Sequence, residues 1–172
     1  MLGAVAQRLR QSAIIGYDPA GRRVSEALRD NGLAPGIIEL NPGAIQETQS
    51  SALHLHVGDA TSTDVLAHAG VPDALAVIVT VPDPRAARDI VATVRELAPR
   101  TRLLVRSRFH RAVRDIEQAG ATKVVDEENT VGRLLAHETL ATLELGQDAA
   151  LACALAGRTP SVTTAEPSDE SS

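Results

Sequence analysis

Gly16, Asp18 and Gly21, together with Glu39 at the end of the next apolar run, are the residues of this sequence whose types and spacing suit the holding of a ligand. A glycine at a strand end lets the chain turn tightly, and a second one further on lets a helix pack close to that strand. The helix N-terminus then offers amides and the positive end of its dipole to a phosphate. A carboxylate ending the following strand accepts from ribose hydroxyls and disfavours a 2′-phosphate. Gly16 and Gly21 match the outer glycines of a Gly-x-Gly-x-x-Gly dinucleotide turn, and Asp18 stands where the middle one belongs. Asp followed by Pro is also a favoured N-cap and first helical residue, so the Asp18 carboxylate is expected to accept from the amide of Ala20 or Gly21. There it brings negative charge close to the phosphate position while Pro19 removes a backbone donor. Diphosphate nucleotides are therefore expected to bind weakly or not at all.

The elements that must position these residues follow from the hydrophobic pattern. Ala13 to Gly16 reads as a first strand, Pro19 to Asn31 as a helix stopped by Gly32, and Ile37 to Leu40 as a second strand. A short helical piece is expected near Gly43 to Ser50. Leu53 to Val57 alternates strictly, as a strand with one packed and one more polar face, and ends at Gly58-Asp59-Ala60-Thr61. Thr63 or Asp64 is expected to cap a helical turn closed by Gly70. Leu75 to Val81 is a continuous apolar run that reads as a buried strand. Arg85 to Leu97 reads as a helix, Leu103 to Val105 as a fifth strand with Arg106 and Arg108 at its carboxyl end, and His110 to Ala119 as a helix. Lys123 to Val125 gives a sixth strand and Asp126 to Leu145 a last helix. Strands alternating with helices imply an α/β, Rossmann-like doubly wound six-stranded parallel sheet in the order 3-2-1-4-5-6. Residues 12–146 are expected to form this domain, after a leading helix or linker at 1–11 and before a weakly ordered to disordered tail at 147–172, whose composition after Gly157 cannot bury enough to order itself.

Composition narrows the function classes. With one Phe, one Tyr and no Trp, the core is aliphatic, and a net charge of −5 with almost no aromatic surface argues against nucleic-acid binding. The single Cys153 cannot form an internal disulfide, which points to a reducing, cytoplasmic setting, and no apolar run is long enough for direct membrane insertion. His54 and His56 share a strand face without a third ligand at metal-site spacing, so no metal is expected. Tyr17 and Phe109 read as packing residues.

Four stretches then carry a family resemblance: Gly-Tyr-Asp-Pro-Ala-Gly-Arg (16–22), Ile-Ile-Glu-Leu-Asn-Pro (37–42), His-Val-Gly-Asp-Ala-Thr (56–61) and Val-Ile-Val-Thr-Val-Pro-Asp-Pro (77–84). With Leu-Val-Arg-Ser-Arg (104–108), Ala-Gly-Ala-Thr-Lys-Val-Val (119–125) and Val-Gly-Arg-Leu-Leu-Ala (131–136) in the same order, residues 12–145 resemble the TrkA-N domain, the N-lobe of RCK regulators of potassium conductance. They are most similar to the soluble regulatory tails of potassium/proton antiporters. The resemblance implies a cytoplasmic module that dimerises and sits at the inner face of the membrane through a potassium channel or cation/proton antiporter subunit. It would bind NAD or an adenine nucleotide (AMP, ADP or ATP) and gate ion flux. By position, Gly16 and Gly21 match the phosphate turn, Glu39 the ribose ligand, Asp59 and Ala60 the adenosine-side loop, and Arg106 a phosphate-facing arginine. Tyr17, Leu40, Gly58 and Thr80 complete the implied cofactor-binding set. The departures are Asp18, Pro19 and the lack of a second regulatory lobe or transmembrane helices, so the chain is either a free-standing subunit or a fragment.

No catalytic residue is assigned. Tyr17 and Lys123 are the only Tyr and Lys and do not form a Tyr-x-x-x-Lys pair, and no Gly-x-Ser-x-Gly elbow occurs. A regulatory binding domain is the leading reading. A ligand-free dimeric interaction domain comes second and a small NAD-dependent oxidoreductase third.

Overall fold

The computed structural model describes residues 11–41, 43 and 54–143. The leading segment, the C-terminal tail and nearly all of the helical piece expected at Gly43 to Ser50 lie outside them. The described elements are β1 (Ala13–Ile15), α1 (Pro19–Asp30), β2 (Gly36–Glu39), β3 (His54–Val57), α2 (Thr63–His68), β4 (Ala76–Val79), α3 (Pro84–Leu97), β5 (Arg102–Ser107), α4 (Val113–Gln118), β6 (Lys123–Asp126) and α5 (Glu127–Thr142). The strands form one six-stranded sheet in the order β3-β2-β1-β4-β5-β6. All pairings are parallel, with Ile14 beside both Ile37 and Ile78 in the centre. This is the doubly wound arrangement that the alternation of strands and helices predicts. The order reverses between β1 and β4, where such sheets open a crevice at their carboxyl ends.

Side-chain alternation divides the sheet into two packed faces. Ile14 and Ile37 are fully buried and pack with Tyr17, Val24, Leu28, Leu55 and Ile78 on the α1 side. Ile15, Ile38, Val77, Val79, Leu103 and Val105 meet Leu66, Val91, Val94 and Ile116 from α2, α3 and α4 on the other. Each fully buried side chain of this kind contributes about 1.5–3 kcal/mol, so an aliphatic core is sufficient without Trp or Phe. Two helices start in the same way. Asp18 Oδ1 accepts from Gly21 N at 2.9 Å, and Asp83 Oδ1 accepts from Ala86 N at 2.8 Å. Each is followed by a proline at the first helical position, which gives up no useful donor there.

Three expectations need correction. The alternation in β3 does not translate into one packed face: Leu55 is half-buried on the α1 side, but Val57 is 56% exposed, because β3 is the edge strand and Val57 ends it. The helix expected from His110 begins as a one-turn 3₁₀ segment, His110–Ala112, before α4 takes over, a tightening common at helix starts. Ser62, not Thr63 or Asp64, is the N-cap of α2, and its side chain makes no capping bond.

The chain divides after Glu127. Beyond that point α5 buries no residue, and Val131, Leu134 and Leu135 are all exposed.

Candidate functional site

A cleft of about 550 Å³ opens at the carboxyl ends of the central strands. The turn after β1 forms one wall through Gly16, Tyr17 and Asp18. Glu39 to Asn41 after β2 form another, and Gly58 to Thr61 after β3 a third. Thr80 to Pro82 after β4 close the far side.

The turn is built by close backbone approach. Gly16 has φ +95°, and a Cβ there would sit 2.8 Å from Thr80 Oγ1. A Cβ on Gly21 would sit 2.3 Å from the Gly16 carbonyl oxygen, so only glycine lets α1 start this close to β1. Thr80 is buried, and its hydroxyl donates to the Gly16 carbonyl at 3.1 Å, supporting the turn from below.

Glu39 braces the same turn from β2. Its Oε2 accepts from Tyr17 N at 2.7 Å and its Oε1 from Asn41 N at 2.8 Å. A carboxylate has about four acceptor positions, so two remain for hydroxyls of a ligand in the cleft. After β3, Asp59 Oδ1 accepts from both the amide and the hydroxyl of Thr61, and these two bonds hold its carboxyl below the usual carboxylate range. Ala60 beside it is buried, whereas Leu40 at the rim is exposed. Tyr17 itself is buried under α1, with the Arg22 guanidinium over its ring at 5.4 Å.

Asp18 has two roles, of which the sequence indicates one. Oδ1 caps α1 through Gly21, as the Asp-Pro pair predicts, while Oδ2 accepts from Arg106 Nη1. Arg106 also donates through Nη1 to the Thr80 carbonyl at 3.3 Å and through Nε to Glu127 Oε2 at 2.5 Å. The Glu127 bond is the largest influence raising the Arg106 pKa above the ordinary arginine value, partial burial opposes it, and the Asp18 charge adds to it. The Asp18 charge that the sequence places close to the phosphate position is thus shared with a guanidinium, a partner the sequence does not indicate. Arg106 is not among the described residues lining the cleft, and its donors point at two carboxylates. Sequence alone does not single out Arg22, Asn41 or Glu127. Arg22 and Asn41 lie within stretches that carry the resemblance, whereas only the fold brings Glu127 to Arg106.

His54 and His56 stand apart from the cleft. His56 meets the His68 ring edge-on at 5.8 Å beside a hollow also lined by Asp64. Among the described residues no group of three or more His, Cys, Asp or Glu is arranged to hold a metal ion.

The model of the TrkA-N domain family matches residues 12–127, which hold the whole sheet and this cleft. The chain belongs to the TrkA-N family. The TrkA-N domain of the inner membrane protein ybaL from Escherichia coli superposes with a TM-score of 0.69 at 24% identity, over 73% of this chain and 93% of that one. The Kef CTD of Shewanella denitrificans, in an AMP-bound form, gives a TM-score of 0.75 at 23% identity, over 85% of this chain and 89% of that one. The GsuK channel bound to NAD gives 0.67 at 23% identity, and there the match covers 73% of this chain and 23% of the channel. This TrkA-N domain thus shares its fold with the AMP-bound Kef CTD and with part of the NAD-bound GsuK channel, and no described helix is long and apolar enough to cross a membrane.

Proposed function

We propose that this TrkA-N domain is a non-enzymatic regulatory module that binds an adenosine-containing ligand, NAD or an adenine nucleotide, in the cleft beside Gly16. Through that binding it gates a membrane potassium channel or cation/proton antiporter on the cytoplasmic side. The observation that carries this reading is the convergence of the glycine turn, Glu39 and the Asp59–Ala60 loop on one cleft at the point where strand order reverses. The AMP-bound Kef domain and the NAD-bound GsuK channel support the ligand class.

Glu39 is assigned to the ribose diol, which favours an unmodified ribose over a 2′-phosphorylated one. Calorimetric titration with adenosine, AMP, ADP, NAD and NADP tests the assignment. Binding that Glu39→Ala weakens by about tenfold or more, with NADP weaker than NAD, is the expected pattern. NADP binding tighter than NAD, or affinity indifferent to Glu39→Ala, contradicts the ribose role. Hydride transfer to a panel of carbonyl substrates, if it occurred, would contradict the non-enzymatic reading.

A second reading is a ligand-free dimeric interaction domain. It draws support from the Asp18 side chain, which already occupies the turn, and from the exposed apolar residues of α5. Absence of binding by every adenosine-containing ligand would favour it.

A further inference from the structure

We infer that the cleft selects a ribonucleoside whose 5′ position carries no phosphate, because Asp18 already takes up the contacts a phosphate would need. The inference rests on the adenosine-site reading given above and narrows its ligand class.

A phosphate at a helix start is held by unengaged amides and by a cation with donors to spare. At α1 the first helical residue is Pro19, which has no N–H. The Gly21 amide donates to Asp18 Oδ1 at 2.9 Å, and the Arg22 amide donates to the Asp18 carbonyl at 2.9 Å. Of the first amides of α1, at most that of Ala20 is left. Arg22, which lines the cleft, lies over the Tyr17 ring and donates through Nε to the Tyr17 carbonyl at 3.3 Å. The other cation, Arg106, is bonded through Nε and Nη1 to Asp18 Oδ2, to Glu127 Oε2 and to the Thr80 carbonyl. One guanidinium thus faces two carboxylates, a trio with a net charge of −1 before any ligand enters. The carboxylate stands in for a phosphate, anchored by one helix amide and one arginine, so a phosphorylated ligand must displace it from both partners and then lie beside it.

The rest of the cleft is left intact by this arrangement. The Glu39 carboxylate retains acceptor capacity for a ribose diol, and Ala60, Val81, Pro82 and Ile90 give an apolar surface for a base. A neutral nucleoside uses both features and needs nothing from the turn.

Calorimetry in EDTA on the full chain tests this with adenosine, AMP and ADP, on the natural protein and on Asp18→Gly and Asp18→Asn. Circular dichroism shows whether each variant is folded, and the glycine retains most of the cap's worth. The expected result is adenosine binding the natural protein at least about tenfold more tightly than AMP or ADP, with that ratio falling at least about tenfold in Asp18→Gly. Asp18→Asn, which keeps an acceptor and removes the charge, should fall between. AMP or ADP binding the natural protein as tightly as adenosine overturns the inference while leaving the adenosine site standing. A natural protein silent to adenosine overturns it too, even where Asp18→Gly binds AMP. Silence of all three proteins toward all three ligands overturns both readings together.

Discussion

Asp18 Oδ2 accepts a hydrogen bond from Arg106 Nη1, tying the start of α1 to the end of β5 across 88 positions of sequence. Both side chains are mostly shielded from solvent, with relative exposures of 26% and 22%. The contact therefore joins the two halves of the sheet at the point where their order reverses.

Removing the guanidinium should be costly. Arg106→Ala takes the partner from Asp18, from Glu127 and from the Thr80 carbonyl at once. Charge-assisted hydrogen bonds of this kind are worth about 1.5–3 kcal/mol each when a part-buried partner is left behind. Urea unfolding should show a loss of about that size, with Arg106→Lys recovering part of it. A change below about 0.5 kcal/mol, the range of ordinary surface substitutions, would mean that the pair is ornamental.

The glycines make a sharper contrast. Gly21→Ala would place a Cβ 2.3 Å from the Gly16 carbonyl oxygen, a backbone atom with nowhere to go. Forcing α1 away from β1 should cost about 1–3 kcal/mol or more. Gly36→Ala, in β2 with nothing within 4 Å of the new Cβ, should stay within about 0.5 kcal/mol. Equal thermal midpoints for the two variants would refute the close-approach account of the turn.

Why the sheet was legible from sequence and parts of the site were not follows from the range of the interactions. Strand order and the Asp18 cap are written locally, as apolar runs punctuated by Gly and Pro and as an Asp-Pro pair three residues before its acceptor's donor, Gly21. The partner of the other Asp18 oxygen is set by a long-range contact that no local pattern encodes. The same holds for Glu39, whose place after β2 is readable from spacing but whose bond to Tyr17 N needs the β1–β2 register. Arg95, which donates to the Gly120, Pro99 and Thr101 carbonyls and so pins two loops, looks in sequence like any exposed helix arginine. The edge position of β3 leaves Val57 exposed, an outcome its apolar character does not foretell.

A pH dependence follows from His56. Burial first, and then the charges of His68 and His54, lower its pKa from the ordinary 6.5. As pH falls through that value the unfolded chain takes up the proton before the folded one does, so stability is full above it and declines below. Asp64 lines the same hollow and is the carboxylate that faces it among the described lining residues. The thermal midpoint should therefore drop more steeply in the natural protein than in His56→Gln between about pH 7.5 and about pH 5.5. Parallel curves for the two proteins would contradict the assignment.

The apolar residues of α5 lead to a prediction about assembly. Val131, Leu134 and Leu135 are 47%, 59% and 61% exposed, and an isologous pairing of two copies is the proposed cover. Light scattering at tens of micromolar should report a dimer, and Leu134→Glu with Leu135→Glu a monomer of unchanged fold. A monomeric natural protein at that concentration would refute the proposal.

The cleft between Gly16, Glu39 and Asp59 is proposed as the ligand site. Its most direct test is an amide chemical-shift titration of the isotope-labelled chain with adenosine. Saturable shifts should appear at Gly16, Tyr17, Asn41, Gly58 and Ala60, which line the cleft, and Glu39→Ala should move their midpoint to about tenfold or more higher adenosine. Shifts that gather instead around His56 and His68, or a spectrum untouched by adenosine, would contradict it.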